Sequence, residues 1–356
     1  MQQKISRRRP LSAWMPLLAL CLSVVGAPAL AAHPSKVSSA QFVVFGDAGT
    51  GLPAQYAVGE AMAQVCAVRG CEFGIELGDN FYPDGVRGVN DPQFQEKFEK
   101  PYAPLDFPIY VALGNHDTGG NGAWNNRGDF QVDYANSGRS AKFRMPARYY
   151  RFTVPPKPRA RTAPFAEFYA LDSSAIVATA KDRNPNWDPE AYGAKQLAWF
   201  EDALSKSAAT WKIAFAHHAY VSNGEHGNAG NYAHPSKAIP TASGQVWRGL
   251  LDRTVCRHGV DLFLAGHDHD MEWLQPVSTC GKTQFIISGS GGAGASPLLD
   301  RHLPYNWHAT YTYGFFWMKL RKHKLTVAAY TLNPDLKLPV DEGGKPVSAF
   351  EKTLTR

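Results

Sequence analysis

Six side chains in this sequence are placed to do chemistry together. They are Asp47 in QFVVFGDAG, Asp79 in FGIELGDN, Asn115 in PIYVALGNHD, His217 in WKIAFAHH, and His267 and His269 in DLFLAGHDHD. Each follows a short apolar run, where a polar or charged group resists burial unless it is paired or bound to a metal. Taken singly, each has an ordinary explanation. An aspartate after glycine caps turns and helices, and a lone histidine usually finds a hydrogen-bond partner in a core or at its rim. His267 and His269 are more pointed, because a one-residue gap sets both imidazoles on one side of an extended segment. Carboxylates and imidazoles without thiolates suit iron, manganese or zinc. Two such ions sharing a carboxylate hydrolyse phosphate esters: one binds and polarises the phosphate, and the other generates hydroxide near neutral pH.

Such a set works only if separate elements deliver it to one point. In α/β folds that point lies at the carboxyl ends of strands, where loops converge above a rigid sheet. From Gln41 the chain alternates short β-branched or aromatic runs with helical patterns. Helices are expected at residues 54–68, around Phe94 and Phe98, over KQLAWFEDAL with Leu197, Phe200 and Leu204 on one face, and at residues 246–256. TQFIIS, YGFFWMKL and KLTVAAYTL follow as strands. This order predicts an α/β sandwich with its helices outside. Residues 115–161 are poor in regular patterns and are expected to be loops over the site. No linker or repeat divides residues 32–356, so one domain is expected there.

Residues 1–31 have a different character. Lys4, Arg7, Arg8 and Arg9 precede an apolar stretch ending in Ala29, Leu30 and Ala31, the pattern of a cleaved secretory signal peptide. The formal net charge is +6, and four of the cations sit in this leader. The remainder is close to neutral, which argues against a nucleic-acid-binding surface. PPKPRAR at residues 155–161 is proline-rich and reads as an exposed loop. Cys66, Cys71, Cys256 and Cys280 lie beyond the leader, and in an oxidising compartment they would form two disulfides. Three pairings are open, of which 66 with 71 and 256 with 280 close the shortest loops.

GDAG, GDNFY, GNHD, the histidine after WKIAFA, and GHDH resemble, in order and spacing, the five blocks of the calcineurin-like metallophosphoesterases. Tyr82, three residues after Asp79, narrows the resemblance to purple acid phosphatases of the small, tartrate-resistant type. FYPDGV, KQLAWFEDAL and EHG at residues 225–227 extend it over most of the mature chain. The resemblance implies a four-layer α-β-β-α sandwich of two mixed sheets flanked by helices. It also implies that Asp47, Asp79, Tyr82 and His269 hold Fe(III), and that Asp79, Asn115, His217 and His267 hold a divalent Fe, Zn or Mn, with Asp79 shared. His217 is preferred to His218 because it stands nine residues before His226, the spacing in the resembling enzymes. Asn115, His116 and His226 would contact phosphate, and His116 and His226 would protonate the leaving alkoxide.

Asp117 and Asp268 are expected to orient their neighbours by hydrogen bonds, and Asp172 to cap a turn. GSGGAGAS lacks the Lys and Ser/Thr of a phosphate loop and is expected to form tight turns. The aromatic residues of WNNRGDF and PYNWHATY are expected to pack. The expected protein is a monomeric, secreted or periplasmic acid phosphatase, lysosomal if its source is eukaryotic. It would take a small phosphorylated substrate, insert in no membrane, and use hydroxide held by the metals without a phosphoenzyme. A phosphodiesterase or nucleotide hydrolase on the same scaffold, or a binding protein without turnover, is the alternative.

Overall fold

In the computed structural model, the described residues are 33–34, 38–119, 127–156, 162–177, 189–233, 241–294, 296–297 and 303–356. The leader, the basic end of PPKPRAR and Trp124 lie outside them. QFVVF forms β1 (Ser39–Phe45), whose last residues are buried on both faces, as an apolar run in a covered parallel sheet requires. β2 (Phe73–Glu76), β3 (Ile109–Val111) and β4 (Phe143–Arg144) continue from it in parallel. Near the end of the chain, β12 (Gly314–Arg321), β13 (Lys324–Thr331) and β14 (Phe350–Thr355) complete a seven-stranded mixed sheet. Its order is β14-β13-β12-β1-β2-β3-β4.

The second sheet contains β5 (Tyr150–Val154), β6 (Ala166–Ala170), β7 (Trp211–Phe215), β8 (Leu262–Ala265), β9 (Met271–Leu274), β10 (Gln284–Ser288) and β11 (Tyr305–Ala309). Its order is β11-β9-β10-β8-β7-β6-β5, with β6, β7, β8 and β10 parallel. The sheets meet through aromatic residues. Phe42 and Phe73 stack at 4.9 Å, and Phe168 meets both edge-on. A second apolar cluster lies on the other face of the second sheet, where Phe200, Leu204, Trp247 and Leu251 cover Phe263 and Phe285. These come from α3 (Pro189–Lys206) and α4 (Gln245–Leu251). α1 (Pro53–Arg69) buries Val58, Met62 and Val65 on the first sheet. The layers are therefore helix, sheet, sheet, helix.

Local chemistry sets the helix ends. Pro53 opens α1, where a missing N–H costs nothing, and Gly70 ends it with φ 78° while its N–H returns to Cys66 O. Cys66–Cys71 closes the same turn, and Cys256–Cys280 ties the helical turn that follows α4 to the segment before β10. The helices expected around Phe94 and Phe98 and at residues 246–256 are both present: the first passes from α-helical at Gln93 and Phe94 to π-helical over Gln95–Glu99, and α4 is followed without a break by a π-helical turn, Asp252–Cys256. One expectation needs correction. Residues 115–161 are not all loop: they contain α2 (Arg127–Asn136), β4 and β5. α2 escaped notice because its buried face is Gly128, Gln131 and Tyr134, which carries little apolar periodicity. Among the described residues no helix is long and apolar enough to cross a membrane.

Candidate metal centre

The first sheet delivers oxygen atoms. Asp47 follows β1 and Asp79 follows β2, each with φ 55°, a left-handed conformation uncommon outside glycine. The two turns lock together: Asp47 N donates to Gly78 O at 3.0 Å, and Gly49 N to Asp79 O at 3.1 Å. The loop after β3 passes so close that a Cβ on Gly114 would lie 2.1 Å from Asp79 Oδ1, so only glycine fits. Asp117 binds the loops rather than any candidate ligand's side chain. It accepts from the backbone N–H of Gly114 at 2.7 Å, of Asn80 at 3.0 Å and of Phe81 at 3.1 Å. Burial first, and then Asp79, push its carboxyl up to about 6.

The second sheet delivers imidazoles. His217 follows β7 and donates its Nδ1–H to Leu77 O at 3.0 Å, a bond that crosses between the sheets. A carbonyl can only accept, so neutral His217 presents the bare Nε2 to the cluster. His269 is fixed in the same way, with Nδ1 donating to Gly294 O at 2.6 Å. His267 does not sit on an extended segment as its spacing implied: its φ is 73°. That turn lets its N–H donate to Asp47 Oδ2 at 2.9 Å while Nδ1 lies 3.1 Å from His217 Nε2.

All seven expected ligands come together. His217 Nε2 stands 2.9 Å from Asn115 Oδ1, 3.5 Å from Asp79 Oδ1 and 4.0 Å from Asp47 Oδ1. The Tyr82 hydroxyl lies 3.3 Å from Asp47 Oδ1 and 3.1 Å from His269 Nε2, which is itself 3.5 Å from Asp47 Oδ1. Among the described residues, Asp47, Asp79 and His217 form the one group of three carboxylate, imidazole or thiol side chains with donor atoms mutually within 4.8 Å.

These separations suit a metal. With bonds of about 2.1 Å, adjacent donors around one ion sit roughly 3 Å apart. The electrostatics agree. Burial, then the Asp79 and Asp47 carboxylates, push the Tyr82 phenol well above its usual range, so a phenolate there requires a strong cation. Burial opposes charge on His269, yet Asp47 outweighs it and holds the imidazole at about 9. His267 goes the other way, lowered by burial and by the surrounding imidazoles.

His116 and His226 flank the cluster. His116 Nδ1 donates to Pro83 O at 2.6 Å, and Nε2 faces Asp79 Oδ2 at 3.9 Å. The His226 ring stacks on His267 with 4.0 Å between centroids. His218 turns away, with Nδ1 2.9 Å from Ser173 Oγ, while its ring packs on His267 at 4.4 Å. Asp268 binds the His226 backbone rather than an imidazole, accepting from His226 N at 2.6 Å. Asp172 caps Ala175 N at 3.2 Å and pairs with Arg148 at 2.8 Å. The described glycines after β10 form close turns, with Gly291 N donating to Gly46 O. Trp307 packs on Phe350 and Phe316. Sequence reasoning missed Ser222 and Glu272, which join Asp268 beneath the His226 loop. The only signal was an acidic residue in an otherwise apolar strand.

A sequence model of the calcineurin-like phosphoesterases matches residues 41–271. Tartrate-resistant acid phosphatase type 5 of Rattus norvegicus is 29% identical over 294 residues, 78% of this chain and 80% of that protein. Purple acid phosphatase 7 of Arabidopsis thaliana is 32% identical over 269 residues, 73% of each. The solved purple acid phosphatase of Lupinus luteus seeds superposes with a TM-score of 0.60 at 15% identity, over 91% of this chain and 55% of that one. The chain belongs to the calcineurin-like phosphoesterase family, among the purple and tartrate-resistant acid phosphatases, and is a phosphoester hydrolase.

Proposed function

We propose that the protein is an acid phosphatase that hydrolyses phosphate monoesters at a dinuclear Fe(III)–M(II) centre, with M being Fe, Zn or Mn. The observation that carries this is the place of the Tyr82 hydroxyl, between Asp47 Oδ1 at 3.3 Å and His269 Nε2 at 3.1 Å. A phenol with a carboxylate and an imidazole suits the harder, more highly charged ion. Asp47, Asp79, Tyr82 and His269 hold that ion, and Asp79, Asn115, His217 and His267 the divalent one. Bound there, the pair supplies positive charge for the phosphate oxygens and lowers the pKa of coordinated water.

The chain's own groups do the rest. The carbonyls of Leu77 and Gly294 keep His217 and His269 in the tautomer that points Nε2 inward. Asn115 and His116 border the phosphate, and the Pro83 carbonyl fixes His116 with Nε2 toward Asp79. His226 delivers a proton to the departing alkoxide, the step that matters most for esters with poor leaving groups. Two disulfides and the leader composition support export to an oxidising compartment.

Protein purified without chelators should be violet or pink and contain two metals per chain, one of them iron. Tyr82→Phe should lose the visible band while keeping its fold. A colourless, fully metallated protein that releases no phosphate from 4-nitrophenyl phosphate would remove this reading. Faster turnover of bis(4-nitrophenyl) phosphate would favour a diesterase.

A further inference from the structure

The loop that carries His226 has no regular structure, yet it is pinned from beneath by two buried acids. Glu272 Oε1 accepts from Asn223 N at 2.9 Å and lies 2.9 Å from Ser222 Oγ. Asp268 Oδ2 lies 2.5 Å from the same hydroxyl, and its Oδ1 accepts from His226 N at 2.6 Å. Gly224 N donates to Ser222 Oγ at 2.9 Å, and a Cβ on Gly224 would come within 2.4 Å of Asp268 Cγ, so the loop rests directly on the acid. Glu272 and Asp268 are almost wholly buried, at 0% and 1% exposure.

Loop groups hold this cluster together. The Ser222 hydroxyl has one hydrogen to offer its two carboxyl neighbours, so it donates to only one of them at a time. Burial, offset by the Ser222 bond and reinforced by Asp268, raises the Glu272 carboxyl to about 7.

We propose that Glu272 is a positioning residue for the proton donor: by binding Asn223 N and Ser222 Oγ it fixes the loop that sets His226 over His267. This rests on the role given above to His226. The segment that supplies His267 and His269 thereby also sets the height of the acid above them. A strand position three residues past a ligand governs the departure of the leaving group without touching substrate.

The test compares holoenzyme variants on aryl phosphates with good leaving groups and alkyl phosphates with poor ones. His226→Ala should slow alkyl phosphates by about 100-fold or more, and 4-nitrophenyl phosphate far less. Glu272→Ala should copy that selectivity at about tenfold, with metal content and colour unchanged, because it leaves a buried N–H without its acceptor. Glu272→Gln, which keeps an acceptor for Asn223 N, should restore most of the alkyl rate. Hydrogen exchange in the 221–228 peptide should quicken in Glu272→Ala and not in Glu272→Gln. If Glu272→Ala does not fold, Ser222→Ala takes its place and should show the same selectivity. Equal slowing of both ester classes, lost metal, or unchanged exchange at 221–228 would overturn the proposal. A selective defect in His226→Ala with none in the Glu272 and Ser222 variants would sink this inference alone. No selectivity in His226→Ala would remove the His226 role and this inference with it.

Discussion

The two sheets contribute to the centre in different currencies of chemistry. Asp47, Asp79, Tyr82 and Asn115 hang from loops of the first sheet and offer oxygen, whereas His217, His267 and His269 hang from the second and offer nitrogen. The oxygen side is held by backbone: two left-handed aspartates, a glycine with no room for a Cβ, and Asp117 gathering amide N–H groups. The nitrogen side is held by tautomer: carbonyls take the Nδ1–H of His217 and His269. A carboxylate offers lone pairs in any orientation and needs only placement. An imidazole needs its proton assigned as well, and two carbonyls do that here.

Several experiments would break or sharpen this contrast. The largest effect is expected at Asp79, the oxygen donor proposed to be shared. Asp79→Ala should empty both metal positions and lower activity by more than about 100-fold, beyond the usual cost of losing an outer partner. His269→Ala should leave one metal per chain. Elemental analysis separates the two results, and equal losses would erase the distinction between the sheets. Gly114→Ala should come next, because the added Cβ collides with Asp79 and displaces it. Metal affinity should fall by about 10- to 100-fold with little change in secondary structure, as read by metal titration and circular dichroism.

Smaller effects are expected away from the centre. Glu272 has a folded pKa of about 7, above the unfolded value, so its contribution to stability is full below the unfolded pKa and is lost as pH rises through about 7. Glu272→Gln should flatten the fall in unfolding free energy across that window, measured by urea titration at several pH values. Removing Cys66–Cys71 should cost about 2 kcal/mol, since the loop it closes is short. Thermal unfolding should show that loss while turnover stays unchanged, because α1 carries no donor.

Much of the fold was legible because most elements bury an apolar face. Leu197, Phe200 and Leu204 announced α3, and the unbroken apolar runs of β1 and β8 announced buried strands. α2 was illegible for the opposite reason, since Gln131 is buried by a hydrogen bond to Asp117 and not by its apolarity. The helix around Phe94 and Phe98 was legible from its two buried rings, but its π-helical bonding over Gln95–Glu99 was not, because burial fixes position and not backbone hydrogen bonding.

The sequence by itself determined which atoms were available: polar groups stationed after apolar runs that would otherwise reject them. Only the tertiary structure decided how they meet. It chose the cysteine pairs, turned His267 out of an extended conformation, assigned the protons of His217 and His269, and laid the His226 loop on Asp268 and Glu272. Each of these depends on a polar partner distant in the chain. Local periodicity records how a residue meets the core, and carries no information about which remote donor or acceptor it will face.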